Sequence, residues 1–504
     1  MERLPNIMLI MTDQQRFDTL GCTGMRAIET PNLDRLAREG VAFDRCYVNA
    51  PCCTPARASL MTGKYPQDHG ALTLRDVLAT DTILFSERLR DKGYETALFG
   101  KLHVQDGEQN HRHPHDGFDI YEWTNNPCGQ MDSPFHAYAQ WLEKKDKAFH
   151  DRLFQEGRKL FHVPEPYHMT TWATERVCSF VEQDRDPDKP FFCKMSLFDA
   201  HNPYNDYPLS WADSVDQSLI PGLVEVGDGR HYGPGYLHEQ MIRCGADLYA
   251  QSDDVLSMRT GYYASIALID KAVGQVLDAL EQAGVTDNTI VMFISDHGDM
   301  LGDHGLFVKG AFFYDASVRV PFIIRYPHGI QAGIREQALV QTNDVAATAL
   351  AAAGYTEAEL NEWMPDSKDL IGWLQQTERS TLRDSVYCLY RNSGNPNQEE
   401  MFEHYVVLRY GDEQWGDHKQ QLEKMPSGIR FPINATMMRT DRYKLSLYHN
   451  KTEGQEELHG ELFDMQNDPQ ETRNLWKEAH WKDVKDNMVV QAQQWLNSHE
   501  DSRL

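Results

Sequence analysis

The sequence predicts an α/β fold on a large, mainly parallel sheet, followed by a smaller antiparallel sheet with a helix packed on it. Three observations lead there. Short unbroken apolar runs stop abruptly at polar residues, as in Asn6-Ile-Met-Leu-Ile-Met-Thr12 before Asp13. Such runs suit strands buried on both faces. Helix-like segments alternate with them. Near residue 370 this pattern gives way to shorter strand-like pieces. We therefore divide the chain into residues 1–375 and residues 376–504.

The elements follow in order. Asn6–Thr12 is the first strand. Thr30 to Gly40 reads as a helix, with Thr30 as its cap, Pro31 in the first turn and Gly40 as its stop. Val41 to Val48 is a strand, Leu84 to Lys92 a helix and Tyr94 to Phe99 a strand. Pro190 to Phe198 is another strand. Tyr262 to Ala283 is a long amphipathic helix, and Thr289–Ser295 and Val320–Arg325 are strands. The segment from about 104 to 185 is rich in His, Trp and Tyr and weak in periodicity, which reads as binding loops. Past Asp384, the pieces Ser385–Tyr390, His404–Arg409, Ala435–Arg439 and Tyr443–Tyr448 are strand-like, and Val484–Ser498 is a closing helix.

The bulk numbers exclude some classes. A net charge of −27 argues against nucleic acid or an anionic membrane as partner. It leaves room for a small cationic pocket. No apolar stretch has the length of a membrane span. The apolar run at the N-terminus, Ile7 to Met11, lacks the flanks of a signal peptide. The nine cysteines are scattered and odd in number, which fits a reducing compartment. The cytoplasm is the expected location, unless a signal has been removed.

Polar residues stand just after the strands: Asp13, Lys101, His201 and Asp296. Open α/β sheets place their sites at that edge. Asp13 with Gln14, and Asp296 with His297, offer two carboxylates, an amide oxygen and an imidazole. Those donors suit one divalent cation; ordinary turn residues would look the same. Cys53-Thr-Pro-Ala-Arg57 is the other notable stretch. Pro55 helps to start a helix there, placing Cys53 at a helix N-terminus where an anion is favoured, with Arg57 one turn on. A thiolate or any oxyanion would be stabilised at such a point.

Cys53-x-Pro55-x-Arg57, followed by Ala58-Ser-Leu-Met-Thr-Gly63, resembles the signature of the type I sulfatases. Ile10 to Gln14 resembles that family's first metal segment, and Gly100-Lys-Leu-His103 its Gly-Lys-x-His segment. Asp199-Ala-His-Asn-Pro203 resembles the segment of its leaving-group histidine, and Ser295-Asp-His-Gly298 its second metal segment. Lys309 matches its second substrate lysine, and Glu461 to Pro469, with Glu471 and Asn474, its C-terminal region. The order is the family's and spans nearly the whole chain.

The resemblance implies an alkaline-phosphatase-like sandwich and hydrolysis of sulfate monoesters. Cys53 is then a precursor, converted by a formylglycine-generating enzyme to 3-oxoalanine. The ligands of one divalent ion would be Asp13, Gln14, residue 53, Asp296 and His297, with Ca²⁺ as the ion and Mn²⁺ as the alternative. A hydroxyl of the hydrated aldehyde would attack sulfur and form a covalent sulfo-enzyme. Arg57, Lys101 and Lys309 would balance charge on the transferring group. His201, with Lys309, would protonate the leaving alcohol, and His103 would deprotonate the second hydroxyl.

Gln14 and His297 depart from the Asp-Asp and Asp-Asn pairs of many members and resemble choline sulfatases and phosphonate monoester hydrolases. A phosphonate monoester or phosphodiester hydrolase with the same nucleophile is therefore the alternative, and an unmodified binding homologue is a third reading. The substrate would be a small-molecule or saccharide sulfate ester. The C-terminal region offers surface for self-association. Cys52 reads as a packed residue and His111-Arg-His-Pro-His115 as a loop. Trp123, Trp141 and Trp172 read as packing. Asn202, Tyr204 and Tyr207 are weak candidates for touching substrate, and Asp299, Asp303 and His304 for supporting the metal pair or lying in a solvated loop.

Overall fold

Strand β1 (Asn6–Thr12) is buried at every position. Ile7, Leu9 and Met11 join one apolar core, and Met8 and Ile10 join another on the opposite face. That explains the unbroken apolar run: a strand with cores on both sides has no polar face to show. The chain is described here by a computed structural model covering residues 3–104, 111–157, 162–225, 252–392, 433–449 and 458–499.

The sheet also contains β2 (Val41–Tyr47), β3 (Glu95–Gly100), β4 (Ile120–Trp123), β5 (Phe191–Ser196) and β6 (Thr289–Ser295). It is completed by β7 (Arg319–Arg325), β8 (Ile334–Glu336) and β9 (Val340–Gln341). The order is β4-β3-β5-β1-β6-β7-β2-β8, with β9 also paired to β2. The pairs from β4 through β6 are all parallel. Strand β7 runs antiparallel to both its neighbours. Thus β3, β5, β1 and β6 lie side by side and point the same way, and their C-terminal ends meet along one edge.

Helices cover the sheet. They include α1 (Pro31–Glu39), α2 (Cys53–Thr62), α3 (Phe85–Asp91), α4 (Ala137–Lys145), α5 (Lys147–Glu156), α6 (Met169–Ser179) and α7 (Ser252–Gln282). Three details differ from the sequence reading. Thr30 precedes α1 but does not cap it through its side chain. Its hydroxyl instead accepts from the Gly21 amide at 2.8 Å. The 104–185 segment holds β4 and three helices as well as loops. Helix α6 buries Thr170 and Thr174 among its apolar residues, so its buried face was not visible as an apolar stripe. Helix α7 begins at Ser252, a full ten residues before the predicted start.

The second sheet is antiparallel: β10 (Ser385–Asn392), β11 (Ile433–Thr440), β12 (Tyr443–His449) and β13 (Leu458–Asp464), in that order. Helix α8 (Lys482–Ser498) packs Met488 and Ala492 against Met438, Leu445, Leu447 and Leu462. Residues 404–409, predicted as a strand, lie outside the described residues. Strand β13 was not predicted, although Glu461 to Asp464 belong to the C-terminal motif.

A buried ionic group joins the two sheets' layers. The Lys444 ammonium of β12 meets Asp315 at 2.8 Å and also contacts Glu471. Glu471 accepts from the Asp315 amide at 2.6 Å. Burial, reinforced by the Asp315 carboxylate and opposed by Lys444, pushes Glu471 up to about 8 from an ordinary 4.5. A folded pKa above the unfolded one means that the folded state binds the extra proton. Its stabilising contribution is present below the ordinary value and is lost as pH rises through about 8. We therefore expect the melting temperature to fall between about pH 5 and about pH 8.5, at fixed metal, with Glu471→Gln showing a shallower slope. An unchanged slope would refute this assignment.

Candidate active site

The four neighbouring parallel strands deliver the polar residues to one edge. Asp13 follows β1, Lys101 follows β3, Asp199 and His201 follow β5, and Asp296 and His297 follow β6. The backbone there leaves little freedom. Gly100, at φ +113°, precedes Lys101, and a Cβ on it would stand 2.0 Å from the Ser196 carbonyl oxygen. Only glycine fits where the end of β3 lies against β5. Gln14 and His103 hold left-handed conformations, at φ 67° and 53°. Residues without glycine's freedom keep such conformations where surrounding contacts enforce them.

Cys53 is the first residue of α2, with Cys52 in extended conformation before it. Its sulfur lies 3.1 Å from His297 Nε2 and 3.8 Å from Asp13 Oδ1. Burial and Asp13 oppose ionisation of this thiol, but Lys309, Lys101 and His297 outweigh them and its pKa is lowered. Cys52 is the opposite case: burial and its neighbour push it up to about 12. The reactive position of the pair is therefore 53.

Arg57 binds protein groups with every nitrogen. Nε donates to Asp296 Oδ2 at 2.7 Å and Nη2 to Asp13 Oδ2 at 3.1 Å. Nη1 donates to the Lys101 carbonyl at 3.0 Å and to Ser196 Oγ at 2.9 Å. One turn of helix carries its side chain beneath Cys53, where it clamps the two carboxylates. Its bonds hold the two carboxylates, and its charge is felt at Cys53.

Lys101 Nζ lies 2.7 Å from Asp13 Oδ2. Burial alone would raise the Asp13 pKa, yet Lys101, His201, Arg57 and Lys309 hold it well below the usual range. His297 Nδ1 contacts the Gly298 carbonyl at 3.0 Å. A carbonyl only accepts, so Nδ1 carries a hydrogen. Nε2 faces Cys53, Asp13 and Asp296; burial opposes charge on the ring, but Asp296 and Cys53 raise its pKa, so Nε2 offers a lone pair to a cation only on giving up a proton. These four residues are buried, and their donor atoms lie within 4.8 Å of one another. Two carboxylates, an imidazole lone pair and residue 53 fit one divalent cation.

Gln14 stands beside this group. Its amide N–H₂ donates to Tyr204 Oη at 3.3 Å, to Asn202 Oδ1 at 3.4 Å and to Asp299. That fixes the amide so that Oε1 accepts from Lys309 Nζ at 2.5 Å. Lys309 also donates to His201 Nε2 at 2.7 Å. His201 Nδ1 contacts the Asn202 carbonyl at 2.7 Å, so its hydrogen is on Nδ1 and Nε2 can only accept. Burial and the Lys309 charge keep His201 well below its ordinary pKa, while nearby anions raise Lys309. In this state Lys309 keeps its proton and His201 Nε2 accepts from it. His103 Nε2 lies 3.3 Å from Thr54 Oγ1.

Of the residues that hold the donors, sequence reasoning named Asp299 as a possible support and Tyr204 as a substrate candidate, and missed Ser196 and the Lys101 carbonyl. Asp299 and Tyr204 grip Gln14, and Ser196 and the Lys101 carbonyl orient Arg57. Adjacency to the second metal segment pointed to Asp299; nothing in chain position pointed to Ser196 or the Lys101 carbonyl. Asp303 instead pairs with Arg16 and Arg259 at 2.7 and 2.8 Å, and His304 stacks on Tyr314. In the His111–His115 tract, His113 bonds the Ala79 carbonyl and His115 bonds Glu87. Trp172 is in the core and Trp123 packs against His136.

Comparison with known proteins bears on this constellation. The sulfatase family profile matches residues 5–355, and that of the C-terminal region of N-sulphoglucosamine sulphohydrolase matches residues 302–412. An arylsulfatase of Clostridium perfringens is 32% identical over 460 residues, covering 86% of this chain and 90% of that protein. An N-acetylglucosamine-6-O-sulfatase of Bacteroides thetaiotaomicron is 25% identical, covering 99% and 87%. Among solved structures, a phosphonate monoester hydrolase of Agrobacterium radiobacter superposes with a TM-score of 0.72 at 22% identity, covering 98% and 96%. That last likeness concerns the fold. With a matching profile over most of its length and a one-third-identical arylsulfatase beside it, the chain belongs to the sulfatase family and is a hydrolase of sulfate esters.

Proposed function

We propose that this sulfatase works with a formylglycine made from Cys53 and one divalent ion, and that its substrate is a sulfated saccharide. The buried set of Asp13, Cys53, Asp296 and His297, with donor atoms within 4.8 Å, carries the reading. Gln14 Oε1 is its added oxygen donor. Ca²⁺ is the proposed ion, with Mn²⁺ the alternative that an imidazole ligand favours. The likeness to a glucosamine sulfatase supports the saccharide.

The converted residue supplies a nucleophilic hydroxyl when hydrated, and the bound ion supplies Lewis-acid stabilisation of charge beside it. The chain's own groups do the rest. Lys101 and Lys309 present cationic charge to the sulfate oxygens. Lys309 holds a proton at Nζ and shares it with His201 Nε2, which serves the leaving alcohol. His103 is the proton acceptor. Arg57 keeps Asp13 and Asp296 ionised and in place.

The test is hydrolysis of a matched chromogenic aryl sulfate and aryl phosphonate monoester, with a sulfated glucosamine as third substrate. We expect the sulfates to be cleaved faster and mass spectrometry to find the aldehyde at residue 53. Dialysis against a chelator should abolish turnover and lower the melting temperature, with Ca²⁺ or Mn²⁺ restoring both. An ion at a hundred times its Kd contributes about 2.7 kcal/mol of stability. Preference for the phosphonate would overturn the substrate assignment. Turnover and melting indifferent to chelation would overturn the metal.

A further inference from the structure

Thr54, next to the reactive position, is fully buried, at 0% exposure. Its hydroxyl has a single proton, and that proton is committed. Oγ1 donates to the Leu74 carbonyl at 2.9 Å. The same oxygen lies 3.3 Å from His103 Nε2. With its hydrogen spent on a carbonyl, the hydroxyl can only accept from the ring. Nε2 must therefore carry a hydrogen. In a neutral imidazole that leaves the lone pair on Nδ1. His103 Nδ1 is buried and has no hydrogen-bond partner among the described residues.

Two further observations agree. Burial, then Lys101 and Arg57, disfavour a second proton on this ring. The His103 backbone is held left-handed, at φ 53°, a conformation that surrounding contacts enforce. A buried acceptor without a partner is costly unless it has a task.

We propose that Thr54 is a positioning residue that fixes His103 as the Nε2–H tautomer and so presents Nδ1 as the proton acceptor of the site. The inference rests on the reading of His103 as the base. It differs from a purely structural role, in which Thr54 would only tie helix α2 to the loop at Leu74.

The experiment compares wild type, Thr54→Val and Thr54→Ser. Position 54 lies inside the segment to be converted, so aldehyde content is measured by mass spectrometry and rates are expressed per aldehyde. Ring-nitrogen spectra of ¹⁵N-histidine protein report the tautomer, with His103 identified by the signal lost in His103→Asn. We expect wild type to show Nε2–H. Thr54→Val should lose on the order of ten- to a hundredfold in kcat with KM nearly unchanged and should gain the Nδ1–H form, and Thr54→Ser should restore both. An Nδ1–H histidine in wild type overturns the proposal. So does a Thr54→Val enzyme with unchanged kcat and tautomer. If Thr54→Val fails to fold, the wild-type spectrum alone decides. A converted wild type that cleaves no sulfate ester would instead refute the functional reading, and the spectrum would still judge Thr54.

Discussion

Cys53→Ala will lower sulfate-ester hydrolysis by on the order of 10⁴- to 10⁶-fold, the scale seen when an enzyme loses its nucleophile. The fold will survive. The side chain is small, and residue 53 occupies the first position of a helix that Cys52 does not cap through its side chain. Alanine is a good helix former and removes one buried atom, a change worth about 1 kcal/mol. Melting should therefore move little while turnover collapses. Cys53→Ser separates two explanations. Serine keeps a hydroxyl beside His297 and Asp13 but has only one, so a sulfated serine must wait for water. A stoichiometric burst followed by stalling would support the formylglycine reading. Full turnover by either variant would refute it, because every step proposed here begins at that atom.

The largest stability effect belongs to Arg57→Met. Asp13, Arg57 and Asp296 all have fully buried side chains. Removing one partner from a buried ionic group costs about 3–5 kcal/mol, because the remaining charges cannot regain water. Lys101 still partners Asp13, but Asp296 loses its 2.7 Å contact. Arg57→Lys will not restore the loss, since one ammonium cannot span two carboxylates, a carbonyl and a hydroxyl in the directions the guanidinium serves. Arg57 and a divalent ion neutralise the same carboxylates. Added metal should thus raise the melting temperature more in Arg57→Met than in wild type. Equal stabilisation of both would show that the arginine and the ion act independently, against the clamp assigned here.

How much of this was legible in advance varies by element. Strands β1, β5 and β6 were readable because burial on both faces leaves an unbroken apolar run, and such runs have few other uses. Helix α2 was readable through Pro55 and Gly63. Helices α4 to α6 were hidden, because their contacts are aromatic and threonine-rich and give no clean apolar period. The ordered motifs brought Asp13, Gln14, Cys53, Lys101, His103, His201, Asp296, His297 and Lys309 to notice. They marked Arg57 for its charge, and its bonds to Asp13 and Asp296 appeared only in three dimensions.

By itself, then, the sequence determined the strand-rich α/β class, the reactive position and the kinds of donor atom available. Local pattern carries those things, since burial, helix initiation and ligand chemistry each depend on residue type and near neighbours. The tertiary structure alone decided the direction of each group. It placed Arg57 against both carboxylates, Lys309 between Gln14 and His201, and Thr54 beside His103 Nε2. Those outcomes depend on hydrogen bonds between residues tens to hundreds of positions apart, as from Gln14 to Lys309. Only the packing of parallel strands side by side brings such residues within bonding distance.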